Sequence, residues 1–483
     1  MDSATTISDR IEPHVWRIAA VVVVGAIMSI LDTTIVNVAL ETLGRDLHSS
    51  LADIQWVATG YMLALAAVIP VSGWAAGRFG AKRLWITSVV LFTLGSVLCG
   101  LAWSTESLVA FRVLQGIGGG MVMPVGQMVL TRAAGPSRLG RVMSVVGVAM
   151  ILAPIFGPTI GGLIIDNLDW RWIFYVNVPI GAIAVAMGLR MLPDVEEGVH
   201  RTRLDRIGLA TLSIGFPLVV YGLAEVGQQG TLWAMQAYAP LVIGVALVAG
   251  FVMHALRADE PLLDVRLFAK PSFSAAAVTT FVLGAALFGA MLIMPLYFQL
   301  VRGEDAVTTG LLLMPQGVGA AFAMALAGRL SDRVGGGKVA VAGIVVSLLT
   351  TLPFVMIGAH TPYVVLGAAM VGRGLGLGLS MMPAMTAAFA RLKPSDVAHA
   401  TPQLTVLQRV GGSIGTALLT VALQNGLDTA HTPAAAANAF GNTYLWVLAL
   451  TAVALLPALV LARAERGERK QSAPIAAAVE AAA

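Results

Sequence analysis

Fourteen runs of about 20 mostly apolar residues follow one another along the chain, at approximately 18–40, 54–76, 84–103, 107–131, 142–165, 172–192, 206–225, 239–257, 273–300, 307–329, 338–358, 363–387, 398–423 and 440–462. A bilayer core about 30 Å thick is crossed by about 20 helical residues at a rise of about 1.5 Å each. The pattern predicts an all-α polytopic membrane protein with fourteen transmembrane helices. The connections are short, so no soluble catalytic domain is inserted.

Hydrophobic residues make up 57% of the chain and charged residues 12%, against about 25% charged in soluble domains. Most of the surface must therefore meet lipid, and membrane lipid is an expected partner. The formal charge of +4 would suggest nucleic acid only if the basic residues formed one patch on a soluble domain. They are distributed over alternate connections instead. With the N-terminus in the cytoplasm, Arg78, Lys82, Arg83, Arg132, Arg138, Arg141, Arg201, Arg203, Arg206, Arg257, Arg266, Lys270, Arg329, Arg333, Lys338, Arg391, Lys393 and the 463–470 cluster share one side. Arg45, Arg171 and Arg302 fall on the other. That asymmetry obeys the positive-inside rule and predicts both termini in the cytoplasm, with no nucleic-acid partner. Trp56, Trp103, Trp170, Trp172 and Trp233 fall near the opposite ends, as an interfacial aromatic belt requires. The first run contains Asp32 and is too long for a cleaved signal, so it is expected to remain as the first span. Cys99 is the single cysteine and reads as a small buried hydrophobe. The alanine-rich stretch from about Ser472 to Ala483 reads as a disordered tail.

An internal repeat organises the spans. Gly73, Arg78, Gly80 and Arg83 follow span 2, and Gly328, Arg333, Gly335 and Lys338 follow span 10, each 255 residues later. This predicts a six-helix half at 1–192, a linker with two additional helices at 193–270, a second six-helix half at 271–465 and a cytoplasmic tail at 466–483.

Several segments resemble the major facilitator superfamily, and within it the fourteen-helix drug:proton antiporters. Leu31-Asp32-Thr33-Thr34-Ile35-Val36-Asn37-Val38-Ala39-Leu40 is similar to that subfamily's first-helix motif. Gly73-Trp74-Ala75-Ala76-Gly77-Arg78-Phe79-Gly80-Ala81-Lys82-Arg83 resembles the superfamily's loop motif, and Arg112-Val113-Leu114-Gln115-Gly116-Ile117-Gly118 its helix-4 motif. The run from Ala153 through Pro154, Gly157, Pro158 and Gly161 to Gly162 is similar to the antiporter motif of helix 5. Trp170-Arg171-Trp172 through Asn177-Val178-Pro179 resembles a segment of the fourteen-helix group. The loop motif departs from the pattern at Gly77, where an aspartate is usual, while Asp332 fills the equivalent place in the second half. The resemblance implies two six-helix halves plus two inserted helices in the cytoplasmic (inner) membrane. It also implies alternating access and small-molecule and proton partners, and the chain is expected to be a monomer.

The candidate site residues follow from depth and chemistry. Asp32 is the carboxylate deep within a span, where charge costs about 2.5–3.5 kcal/mol and usually marks function. Arg112 and Gln115 lie at i and i+3 on one face of span 4, with Arg112 at a depth similar to that of Asp32. Burial favours a carboxyl's protonated form and a nearby guanidinium its ionised form. Asp32 and Arg112 are therefore the proton-coupling candidates. Asn37, Tyr61, Gln115, Met123, Gln316, Arg373, Gln403 and Arg409 are candidates for the substrate cavity. Arg373 and Arg409 sit near mid-membrane without an obvious carboxylate partner, so either backbone carbonyls and glutamines satisfy them or they face anionic groups of a substrate or lipid. By the family's motif, Arg78, Lys82, Arg83, Asp332 and Arg333 form a gate. Pro154, Gly157, Pro158 and Gly161 are expected to make a bendable, close-packed contact between the halves.

Gly335-Gly336-Gly337-Lys338 lacks the remaining elements of a phosphate loop, and no strand-linked dinucleotide fingerprint occurs. Neither an enzyme nor ATP-driven transport is indicated. No cofactor is expected beyond the proton gradient as energy source. Export of drug-like amphipaths is the leading expectation, beside export of an endogenous lipid or amphipathic metabolite and a non-transporting membrane sensor or structural protein.

Overall fold

The computed structural model describes residues 11–135, 138–193, 203–389 and 392–482; the side chains of Pro154, Pro158 and Asp332 lie outside the described set. The first bundle comprises α1 (Pro13–Asp46), α2 (Leu51–Val68), α3 (Ser72–Phe79), α4 (Ala81–Gly100), α5 (Thr105–Ala134), α6 (Leu139–Asn167), α7 (Trp172–Tyr175) and α8 (Asn177–Met191). A pair follows, α9 (Arg206–Gln229) and α10 (Met235–Ala255). The second bundle holds α11 (Pro271–Leu300), α12 (Ala306–Val334), α13 (Gly336–Val355), α14 (Tyr363–Phe389), α15 (Pro394–Leu427) and α16 (Pro433–Ala482).

A 3-10 turn at Ile69–Val71 joins α2 to α3 as one span, and α7 with α8 makes another. Thirteen spans among the described residues are long and apolar enough to cross a membrane. At 29 residues, α6 is the fourteenth of such length.

Local chemistry sets the ends. Ser104 and Ser107 form a reciprocal capping box at the start of α5, and Ser50 caps α2 by accepting from the Asp53 N–H. Two readings of the sequence are corrected. Trp170 is 2% exposed, covered by the Arg171 guanidinium and the Phe174 ring, whereas Trp56, Trp103, Trp172 and Trp233 are exposed. The alanine-rich tail continues α16 to Ala482 instead of being disordered, in keeping with alanine's high helix propensity.

The helices alternate in direction, which gathers the basic residues between α3 and α4, α5 and α6, α12 and α13, and α14 and α15 at one end of the bundle. At this basic end the halves share one apolar core. Val15, Ile18, Val22, Val125, Leu130 and Val146 pack with Phe273, Met324, Met382, Met385, Phe389 and Leu404. Gly73 of α3 lies so close to the Ala398 carbonyl of α15 that no Cβ fits between them. Toward the other end the cores separate, one around Ile35, Val57, Leu108 and Phe174, the other around Ile293, Tyr297, Phe354 and Tyr444. The molecule is therefore sealed between its halves at the basic end.

Gly157 and Gly161 do not make the contact between halves expected of them. They pack on Thr34 and Ile35 of α1, within the first half. The crossing contact of α6 is made by Gly147 against Met324 and Met382, and by Thr159 beside Gly310. A helix has several faces, and the motif's small residues serve the one turned toward α1.

The added pair sits at the other seam. α9 packs on α2, with Trp56 and Tyr221 stacked 5.7 Å apart and the Ser213 hydroxyl donating to the Ala67 carbonyl at 2.8 Å. Its far end meets α15, where Gly227 lies beside Ala417 and Thr420. α10 covers the outside of α9.

The repeat is visible in the backbone. Gly80 joins α3 to α4 at φ 85°, ψ 136°, and Gly335 joins α12 to α13 at φ 101°, ψ 140°. It extends to helix packing: Gly116 and Gly120 press on α2 and Gly118 on α4, while Gly374 and Gly378 press on α12 and Gly376 on α13. The two joints favour glycine because an L side chain rarely adopts that conformation. Gly80→Ala or Gly335→Ala is expected to cost about 1–3 kcal/mol of local strain. Thermal unfolding of the purified variants should show it, and an unchanged midpoint in both would remove the joints' requirement for glycine.

Candidate functional site

Five elements converge on Asp32. α1 carries the carboxylate, α5 supplies Arg112 and Gln115 one turn apart, α4 supplies Ser96 and Cys99, and α8 begins at Asn177. α2 places Tyr61 under the guanidinium. Asp32, Gln115 and Asn177 are 0% exposed and Arg112 1%.

Arg112 Nη1 donates to Asp32 Oδ2 at 2.6 Å and to Gln115 Oε1 at 2.7 Å. The other carboxylate oxygen, Oδ1, accepts from Gln115 Nε2 and Asn177 Nδ2, both at 2.8 Å. Ser96 Oγ accepts from those same two amides at 3.1 and 2.9 Å and donates to the Phe174 carbonyl at 2.9 Å. Arg112 Nε donates to the Val57 carbonyl at 3.1 Å, and its Cζ lies 4.1 Å from the Tyr61 ring centroid. Tyr61 Oη in turn lies 3.3 Å from Ser29 Oγ.

Every partner of the Asp32 oxygens is a donor. The arrangement suits a carboxylate, which only accepts, and leaves no acceptor for the hydroxyl of the acid. A buried charge is costly without partners, and removing one member of a buried pair typically costs about 3–5 kcal/mol. The site can therefore hold an ion pair tightly, or release it if the helices carrying Asp32 and Arg112 part.

The expected pair of Asp32 and Arg112 is thus in contact, with Gln115 and Tyr61 beside it. Asn177 and Ser96 were missed by sequence reasoning. Asn177 stood only inside a resembling segment, although a polar amide opening an apolar helix was a usable signal; its Oδ1 is buried without a hydrogen-bond partner among the described residues. The other cavity candidates are dispersed. Asn37 is exposed on α1, Gln316 is partly buried on α12, and Arg373 is buried with its Cζ 5.8 Å from the Tyr444 ring centroid. Arg409 is partly exposed on α15. Met123 instead packs against the sealed basic-end core, and Gln403 donates to the Asp264 carbonyl at 2.9 Å. Both belong to the closure. Of the gate candidates, Arg78, Arg83 and Arg333 are exposed at the basic end and Lys82 is partly buried there.

Comparison with known proteins decides the family. The sequence profile of the Major Facilitator Superfamily matches residues 22–416. The chain belongs to the major facilitator superfamily. A relative from Mycobacterium tuberculosis named "Multidrug resistance protein B homolog" is 41% identical over 418 residues, 86% of this chain and 77% of that protein. The "Methylenomycin A resistance protein" of Streptomyces coelicolor is 32% identical over 427 residues, 87% of this chain and 88% of that protein. Among solved structures, the human organic anion transporter MFSD10 superposes with a TM-score of 0.65 at 16% identity, covering 93% of this chain and 100% of that one. At that identity the likeness concerns the fold. This major facilitator protein is a multi-pass membrane transporter and not an enzyme.

Proposed function

We propose that this transporter is a proton-driven antiporter that exports amphipathic, drug-like molecules across the cytoplasmic membrane, its basic end and both termini facing the cytoplasm. The observation that carries the reading is Asp32, a carboxylate buried at mid-membrane depth and surrounded by three donors from two other helices, α5 and α8. The names of the relatives support the substrate class, and the positive-inside rule supports the orientation.

In this reading the sealed basic end is the cytoplasmic gate in its closed form. A proton from outside neutralises Asp32, which loosens its hold on Arg112 and frees α1 and α5 to shift. Opening toward the cytoplasm releases the proton, and substrate binds for the return. An inward proton supplies about 2.3 kcal/mol per 100 mV besides the pH difference. Arg78, Lys82, Arg83, Asp332 and Arg333 act in the gate, and no cofactor takes part.

The test uses the purified chain in proteoliposomes with an imposed proton gradient and a panel of amphipathic dyes and drugs. Accumulation against the substrate gradient is expected, and collapse when an uncoupler is added. Accumulation that survives the uncoupler would refute proton coupling.

A further inference from the structure

The membrane interior of this transporter is not electrically balanced. At mid-membrane depth the described residues place three guanidinium groups, Arg112, Arg373 and Arg409, against one carboxylate, Asp32. Asp32 is taken by Arg112. Carboxylates of the second half stand at helix ends or loops (Glu304, Asp305, Asp332, Asp396 and Asp428) or, for Glu465 of α16, at the basic end, where it accepts from the Gly337 N–H. None of the ion pairs found among the described residues involves Arg373 or Arg409.

The two uncompensated arginines differ in setting. Arg373 immediately precedes the glycine series of α14, just as Gln115 precedes the matching series of α5. Where Gln115 serves a carboxylate, Arg373 meets the Tyr444 ring and is 3% exposed. It adds fixed positive potential to the second half.

Arg409 is partly exposed although it lies near the middle of the 34-residue α15. It shares a helical face with Pro402, seven residues earlier, which borders Gly73 of the first half. Gly411 and Gly415 press another face of α15 onto α11. Tyr61 of α2, whose ring lies beneath Arg112, interacts electrostatically with Arg409 across the seam. The geometry thus directs Arg409 between the two halves.

A guanidinium stays protonated in proteins and offers a planar fork suited to carboxylate, sulfonate or phosphate oxygens. Charged side chains within membrane spans almost always have a partner or face a water-filled cavity. We infer that Arg409 is an anion-recognition site in the substrate cavity, selecting amphipathic substrates with an acidic group, with Arg373 reinforcing the potential. This rests on the reading of the chain as an exporter and assigns selection to the second half, separate from proton handling at Asp32.

The experiment is substrate counterflow in proteoliposomes without a proton gradient, so that it does not depend on coupling. Three matched probes carry the same alkyl-linked fluorophore and end in a carboxylate, a neutral amide or a trimethylammonium group. In wild type the carboxylate probe should exchange fastest. Arg409→Gln should slow that probe at least about tenfold, as expected for losing a charge-assisted hydrogen bond, while the other two change less than about twofold. Arg409→Lys should recover part of the loss. Equal effects on all three probes, including loss through misfolding, or no effect on the carboxylate probe, would overturn the assignment. Repeating the assay in phosphatidylcholine with and without phosphatidylglycerol separates the two sources of anion. A loss on all probes confined to vesicles with anionic lipid would mean that Arg409 holds a lipid headgroup, overturning the substrate site. Absence of counterflow for every probe in wild type overturns the inference for acidic amphipaths, and absence also of driven transport across the broader panel would remove the exporter reading itself.

Discussion

Asp32→Asn should abolish proton-driven accumulation while leaving downhill counterflow measurable. The substitution preserves shape but replaces an acceptor oxygen with an amide donor, in a site where Arg112, Gln115 and Asn177 all donate toward that side chain. It also removes the group that carries the proton in the proposed cycle. A gradient worth about 2.3 kcal/mol per 100 mV sustains about a fifty-fold concentration ratio for one charge per cycle. In the variant that ratio should fall to unity. The measurement is steady-state accumulation at several imposed potentials, with counterflow as the control for folding. A variant that still concentrates substrate in proportion to the gradient would require another carrier, with Glu225 the first to examine.

The second large effect concerns α6. A Cβ at Gly157 would overlap the Thr34 hydroxyl, which itself donates to the Leu31 carbonyl at 2.9 Å; at Gly161 the nearest atoms, of Ile35, would be 3.3–3.4 Å away, and at Gly162 nothing lies within 4 Å. Leucine at these positions should therefore act in the order Gly157, Gly161, Gly162. Overpacking typically costs about 1–3 kcal/mol. At Gly157 that strain bears on the segment of α1 that holds Asp32, so transport should fall at least about tenfold, whereas Gly162→Leu should remain near wild type. Equal loss at Gly157 and Gly162 would show that the helix as a whole resists bulk.

The sequence carried the helices and the central ion pair because each rests on a local or periodic signal. Apolar run length locates spans, and a carboxylate within such a run has few inexpensive roles. The spacing of Arg112 and Gln115 puts both on one face, and their contact with Asp32 followed from comparing depths. Rotation of a helix about its axis was much less legible. Gly157 and Gly161 indicated that α6 approaches something closely, without saying whether the neighbour was α1 or the second half. For the same reason Gln403 was assigned to the cavity when it secures a loop at the basic end. Asn177 escaped because its relevance depends on where α8 meets α4 and α1, a tertiary fact absent from its neighbours in sequence. The glycines of α5 were visible in its motif, but their match in α14 and the meaning of both series required the facing helices.

The position of the added helix pair gives the transporter two unlike flanks. The first and second halves meet along two seams, one between α6 and α12 and the other between the α2–α3 span and α15. Only the latter is covered from outside, by α9 touching both α2 and α15, with α10 behind it. A hydrocarbon-dissolved molecule approaching that flank encounters the pair before it reaches the seam. The covered flank is consequently bridged on its outer side, and if the halves rock, the attached pair must slide or tilt with them. With one seam beneath α9 and the other left bare by the pair, this chain has a front and a back.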